Sequence, residues 1–310
     1  MEEAFVKPGS WRAWVLASRP KTLAGAAVPV LIGLSLGWQA LLATGTTVDV
    51  CPGLLGQKLV ISLLCLLFAF VMQVDANFVN DYFDFMKGND DETRLGPRRA
   101  CAMGWVSARA MRRAIAVTTA VGCLVGLPLA FFGGPAMIVV GLACVIFCFL
   151  YTTHLSYLGL GDVLVLVFFG IVPVCAIYYL LTRQLTWEVF AGSVACGLVI
   201  DTLLMINNYR DIDNDTRAGK RTLAVRLGKA QSRKAYLLLA PAAWVVGLAY
   251  LSGGHVWACV LTLIYLVFHV GTYRRMVRID HGKGLNAILG ETARNMFIYG
   301  LLCSIGILLK

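Results

Sequence analysis

Nine apolar stretches, near residues 22–44, 58–79, 112–132, 134–153, 162–182, 186–207, 235–252, 254–273 and 289–309, run through this chain. Each is close to the roughly 17–25 residues a helix needs to cross the hydrocarbon of a bilayer. The sequence therefore predicts an all-α polytopic membrane protein, a bundle of nine transmembrane helices. Its composition, 59% hydrophobic and 14% charged over 310 residues, lies outside the range of a soluble globular domain. No Pro-, Ser- or Gly-rich linker and no low-complexity tract interrupts it, so residues 1–310 are expected to form a single integral-membrane domain.

The basic residues test the count, because Lys and Arg gather in short cytoplasmic loops. With the N-terminus inside, 24 of the 27 fall on the cytoplasmic side: four in 1–21, seven in 87–113, eight in 210–234, four in 274–283, and Arg294. Only Lys58, Arg183 and Lys310 fall opposite. The expectation is an N-terminus in the cytoplasm and a C-terminus across the membrane. Positive-inside topology and anionic headgroups account for the net charge of +10, which removes the case for nucleic acid.

Ten cysteines lie mostly inside spans and form no CxxC pair, which argues against a disulfide framework or zinc site. The opening "MEEAFVKPGSWRAWVLASRPKTL" lacks the pattern of a cleaved signal. Residues 1–21, with Trp11, Trp14, Arg12 and Arg19, suit a segment lying in the membrane interface.

Three polar segments on the cytoplasmic side, roughly 80–111, 208–234 and 274–288, are too long for minimal turns and are expected to carry function. Two share a pattern. Asn77-x-x-x-Asp81 ends the second span and Asn207-x-x-x-Asp211 ends the sixth. More carboxylates follow each, then a Lys-Gly or Gly-Lys pair and an Arg-Leu-Gly triplet. At about 100° per residue, Asn77, Asp81 and Asp84 fall on one helical stripe and Asn207, Asp211 and Asp215 on another. Polar groups within a membrane helix mark function by default, and carboxylates one turn apart suit a hard cation. Mg²⁺ takes one or two protein carboxylates and completes its shell with water and substrate phosphates.

Bases accompany both stripes: Lys87, Arg94, Arg98 and Arg99 after the first, Arg210, Arg217, Lys220 and Arg221 around the second. Such a set is built for a polyanion, and Arg210 and Lys220 stand within the acid-rich segment. Asp75 lies about 160–200° around its helix from the Asn77 stripe, where it either lines a cavity or pairs with a buried base. Asp162 suits a helix N-cap. His154 is a lone histidine at a turn. Tyr151 and Tyr157 suit an interfacial belt or an aromatic wall that stabilises a cation. Asp90, Asp91 and Glu92 suit solvated loop charge. A transporter is disfavoured because its site is expected near the bilayer midplane, not at cytoplasmic helix ends.

"NFVNDYFDFMKGNDDETRLGPRRA" and "NNYRDIDNDTRAGKRTLAVRLG" resemble the two Asp-rich motifs of the UbiA superfamily of intramembrane aromatic prenyltransferases, and most closely its naphthoate-prenylating branch in menaquinone synthesis. "SRPKTL", "YLGLGDVLVLVFFG" and "LNAILGETAR" extend the resemblance over most of the chain. It implies a nine-helix bundle around a central cavity capped by cytoplasmic loops, in a bacterial inner membrane. It also implies Mg²⁺ bridging the motifs to a polyprenyl diphosphate, with 1,4-dihydroxy-2-naphthoate as acceptor and demethylmenaquinone as product. By position, Asn77, Asp81, Asp84, Asn207, Asp211 and Asp215 are implied at the metal, and Lys21, Arg94, Arg210 and Lys220 at the diphosphate. Asp81, Asp211 and Lys220 are implied in catalysis, and Tyr151 and Tyr157 are candidates beside the acceptor. The benzoate branch has Tyr-x-x-x-Lys after the fourth span, whereas Leu155 follows Tyr151 here, which counts against that acceptor.

Overall fold

The computed structural model describes residues 6–43, 52–88, 94–155 and 157–309. Among them the chain is all-α: α1 (Trp11–Ser18), α2 (Leu23–Ala43), α3 (Pro52–Met86), α4 (Ala108–Gly133), α5 (Pro135–Leu150), α6 (Gly161–Val165), α7 (Val172–Thr182), α8 (Trp187–Arg217), α9 (Leu223–Gly247), α10 (Val256–Ile279) and α11 (Leu285–Leu308). Short polar residues start several of them. Ser10, Ser107, Thr186 and Thr222 each accept a hydrogen bond from the backbone N–H three residues on, at 3.2–3.3 Å, which satisfies an otherwise orphaned donor of the first turn.

Eight helical segments among the described residues are long and apolar enough to cross a membrane, where the sequence predicts nine. The difference falls on α11. It has 24 residues, but Glu291, Arg294 and Asn295 in its first half dilute its apolar character. Large apolar side chains point outward, among them Phe131 at 85% exposure and Val267 at 73%. A surface so apolar is stable only against lipid, so the chain is an integral membrane protein.

α8 is the most enclosed of the spans, with 72% of its apolar window buried. It packs against α9, α11, α2 and the α6–α7 segment. The last is a single helical column widened to π geometry over Leu166–Ile171. There Gly170 meets α8 so closely that an added Cβ would lie 2.6 Å from the Gly197 Cα and from the Ser193 carbonyl oxygen. Two glycines thus set the approach of these columns, the close backbone packing that lipid-embedded helices favour. α8 and α3 both run beyond their apolar cores, to Arg217 and Met86, and carry the two acidic segments as helix.

Candidate active site

All three residues of the first stripe are buried: Asn77 at 3% exposure, Asp81 at 0% and Asp84 at 6%. They do not share one task. The Asn77 amide donates to the Ser18 carbonyl at 2.9 Å and to the Thr22 hydroxyl at 2.8 Å, which ties α3 to the turn bearing Lys21. Asp81 accepts from the backbone N–H of Ala100 at 2.8 Å and of Cys101 at 2.9 Å, so its carboxylate anchors the loop between α3 and α4. Asp84 instead accepts from Arg99 at 2.6 Å. Asn80, Asp84 and Lys87 share another helical face by their spacing. Asn80 accepts from the Thr152 hydroxyl at 2.5 Å, and the Lys87 ammonium donates to the Thr153 carbonyl at 2.7 Å.

The second stripe is organised by Arg210, which is 5% exposed. Its guanidinium donates to Asp211 at 2.9 and 2.5 Å, to Asn207 at 2.9 Å and to Asn286 of α11 at 2.8 Å. One turn on, Asp215 stands 3.8 Å from the Lys220 ammonium. Burial and fixed partners make these charges costly to misplace and hence well oriented.

Three contacts bring the motifs together. Lys87 of the first lies 4.1 Å from the centroid of the Tyr157 ring, and Lys220 of the second lies 5.3 Å from the same centroid. Gly96, in the loop anchored by Asp81, leaves room for two guanidinium groups: an added Cβ would lie 2.9 Å from Arg210 Nη2 and 3.4 Å from Arg94 Nη2. Asp84 and Asp215, from opposite motifs, lie within electrostatic range of each other, and Tyr151 feels both. Arg94 donates to the Pro97 carbonyl at 3.0 Å. Acids and bases of the two segments therefore converge at the end of α3 and α8, with Lys21 on the adjoining turn.

Other residues fall elsewhere. Asp75 is fully buried and accepts from Thr118 and, at 2.8 Å, from Thr119 of α4, so neither a cavity wall nor a buried base explains it. The N-cap position of α6 belongs to Leu160, and Asp162 lies in the first turn. Asp90, Asp91 and Glu92 lie outside the described residues, as does the side chain of His154.

Sequence reasoning passed over Asn80, Asn286 and Asp201. Asn80 and Asp84 repeat the Asn-x-x-x-Asp spacing of Asn77 and Asp81 three residues later. Asn286 lay within a quoted motif but is a lone amide. Asp201 carried the clearest signal, an ionisable group inside a span, seven residues before Asn208 and fourteen before Asp215.

Among the described residues no three His, Cys, Asp or Glu side chains converge on a single point. The donor set nevertheless suits a hard cation shared with a phosphate ligand, since Asp84 and Asp215 of the two motifs lie within electrostatic range and such an ion needs only one or two protein carboxylates.

A model of the UbiA prenyltransferase family matches residues 26–301. The 1,4-dihydroxy-2-naphthoate octaprenyltransferase of Escherichia coli is 32% identical over 312 residues, covering 96% of each chain. Its namesake in Mycobacterium tuberculosis is 32% identical over 94% of this chain and 95% of its own. Among solved structures, a UbiA homolog from Archaeoglobus fulgidus bound to GPP and Mg²⁺ superposes with a TM-score of 0.67 at 12% identity, covering 96% of this chain and 100% of that one.

Proposed function

The chain belongs to the UbiA prenyltransferase family, and on that premise we propose that it transfers a polyprenyl group from a polyprenyl diphosphate to 1,4-dihydroxy-2-naphthoate. The acceptor loses its carboxylate as CO₂, and the product is the quinol form of demethylmenaquinone, whose oxidation to the quinone is a separate later step. The observation that carries this reading is the convergence of the two motifs on Tyr157, where a lysine from each meets one ring beside paired acids. Likeness over nearly the full length to octaprenyltransferases with this acceptor supports the choice of substrate.

Arg210, Arg94, Lys220 and Lys21 bind the diphosphate. Forked guanidinium groups match its oxygens and the lysines add point charge. Asn207 and Asp211 hold the Arg210 fork in place, so little reorganisation is needed when charge develops on the leaving group. Asp84, Asp211 and Asp215 would hold Mg²⁺, which when bound supplies Lewis-acid neutralisation of the diphosphate charge. Asn77 and Asp81, implied at the metal by their place in the motif, hold the N-terminal turn and the α3–α4 loop, and a metal contact from either requires exchange of those bonds. Tyr157 gathers the two lysines over its ring, and Tyr151, half-buried beside the hollow it lines, is the aromatic wall for an allylic cation kept from water.

The polyprenyl tail of a lipid substrate lies among acyl chains, which accounts for chemistry housed in a membrane bundle. The site end of the bundle carries most of the base, so it and the N-terminus are placed in the cytoplasm and the C-terminus opposite, in a bacterial inner membrane.

The deciding experiment incubates enriched membranes with a prenyl diphosphate and a panel of aromatic acceptors, following prenylated product and released CO₂. Transfer to dihydroxynaphthoate with stoichiometric CO₂ is expected. Transfer to 4-hydroxybenzoate, homogentisate or haem alone would replace the acceptor assigned here.

A further inference from the structure

Among the described residues the motif carboxylates have partners: Asp81 the loop amides, Asp84 Arg99, Asp211 Arg210, and Asp215 Lys220. At the contact of α6 with α8, both oxygens of Asp162 and the Oδ1 of Asp201 are buried without a hydrogen bond from any other residue, the Asp162 carboxyl being backed only by its own backbone N–H. Asp201 is only 6% exposed, and the two groups act on each other electrostatically across the contact of α6 with α8. Leaving such acceptors unmade inside a membrane bundle is costly, so their retention calls for a ligand that donates a proton or a hydrogen bond.

The geometry places that ligand. A hollow of about 20 Å³ is lined by Tyr151, Gly161, Asp162, Asn208 and Thr222, large enough for one hydroxyl or water. Asn208 lies beside the Asn207 that holds Arg210, and Tyr151 feels Asp162 and Asp201 as well as Asp84 and Asp215. Asp201, Asn208 and Asp215 recur every seven residues along one face of α8, leading from the diphosphate cluster into the bundle. Asn208 and Thr222 of its lining stand two residues from Arg210 and from Lys220, which ties the hollow to the second motif.

We propose that Asp162 is a catalytic residue that takes the proton of the acceptor's ring hydroxyl, with Asp201 as its positioning partner. This rests on the aromatic transfer proposed above. As the ring carbon beside the hydroxyl bonds to the first prenyl carbon, the bond from that carbon to diphosphate oxygen breaks and its electron pair leaves with the diphosphate. The hydroxyl O–H bond breaks, its pair completes a ring C=O, and the proton passes to Asp162. When the prenylated carbon also bears the carboxylate, loss of CO₂ returns an electron pair through the ring to that oxygen, which recovers the proton from Asp162. No proton is gained or lost overall, and Asp162 ends ionised.

The test uses the full-length protein in lipid nanodiscs with geranyl diphosphate, dihydroxynaphthoate and a non-reactive geranyl thiolodiphosphate as binding probe. Asp162→Asn is expected to bind the probe within about twofold of wild type and to lose about 100-fold or more in kcat, the range of a positioned proton acceptor. Its residual rate should climb with pH as the acceptor hydroxyl ionises in solution, a rise that a structural defect would not produce. Asp201→Asn is expected to lower kcat about tenfold with the KM for geranyl diphosphate unmoved. Three results overturn the proposal: turnover of Asp162→Asn near that of wild type, a loss that does not recover with pH, or loss of probe binding. Wild-type protein that binds the probe but prenylates no hydroxyarene overturns the transfer reading itself.

Discussion

Asn286 accepts a hydrogen bond from Arg210 at 2.8 Å, and its own amide nitrogen donates to the Leu95 carbonyl at 2.8 Å. One side chain of α11 therefore fixes the guanidinium of the second motif and the loop that follows the first. The loop is pinned again by Asp81, so the arginines that flank Gly96 are placed from two directions. Positioning of this kind matters because small displacements of charged groups are expensive in catalysis.

Replacing Asn286 by Ala removes both bonds. A hydrogen bond to a charged group contributes about 1.5–3 kcal/mol, so the KM for prenyl diphosphate is expected to rise at least about tenfold, with helix content unchanged by circular dichroism. Steady-state kinetics checks this, and an unchanged KM would separate Asn286 from the diphosphate end of the site.

Asp81→Ala and Asp211→Asn should fail in different ways. Asp81→Ala leaves two buried backbone donors without acceptors, at about 1–3 kcal/mol each, and should lower the melting temperature in detergent and speed proteolysis of the 94–106 loop. Asp211→Asn keeps the fold and should cut transfer by about 100-fold or more, the scale of a lost electrostatic contribution to leaving-group departure. Parallel melting curves and rate assays distinguish them. Equal melting temperatures for both variants would remove the structural role assigned to Asp81.

Chelation of divalent metal is expected to abolish transfer, and added Mg²⁺ to restore it. Because Asp81, Asp84, Asp211 and Asp215 already have protein partners, chelation should leave the thermal midpoint in the absence of substrate nearly unmoved. Full activity after exhaustive chelation would dismiss the metal from the site.

Gly170→Leu should destabilise the α6–α8 packing, because even a Cβ there would lie 2.6 Å from the backbone of α8. Overpacking of this kind costs about 1–3 kcal/mol. The substitution moves the wall that bears Asp162, so acceptor turnover should fall more than binding of the prenyl diphosphate, as paired binding and rate measurements would register.

Hydropathy and charge alone determined that the chain is helical and membrane-embedded, and they marked which helix ends carry the two acidic segments. These properties are local: the length of an apolar run, the sign of the residues flanking it and the spacing of acids along one helix survive in any packing. The rotation of each helix about its own axis is not local, because it depends on what the neighbouring helices offer. Asn77 and Asp81 shared a stripe with Asp84, yet packing turned Asn77 toward the N-terminal turn, Asp81 and Asp84 toward the α3–α4 loop, and Asn80 and Lys87 toward Thr152 and Thr153 after α5. The same rotation of α8 brought Asp201 within electrostatic range of Asp162, and the docking of α11 brought Asn286 onto Arg210, across 76 positions of sequence. Tertiary structure alone decided these pairings, since hydrogen bonds between side chains on different helices follow from how the columns settle against each other and not from the order of residues along any one of them.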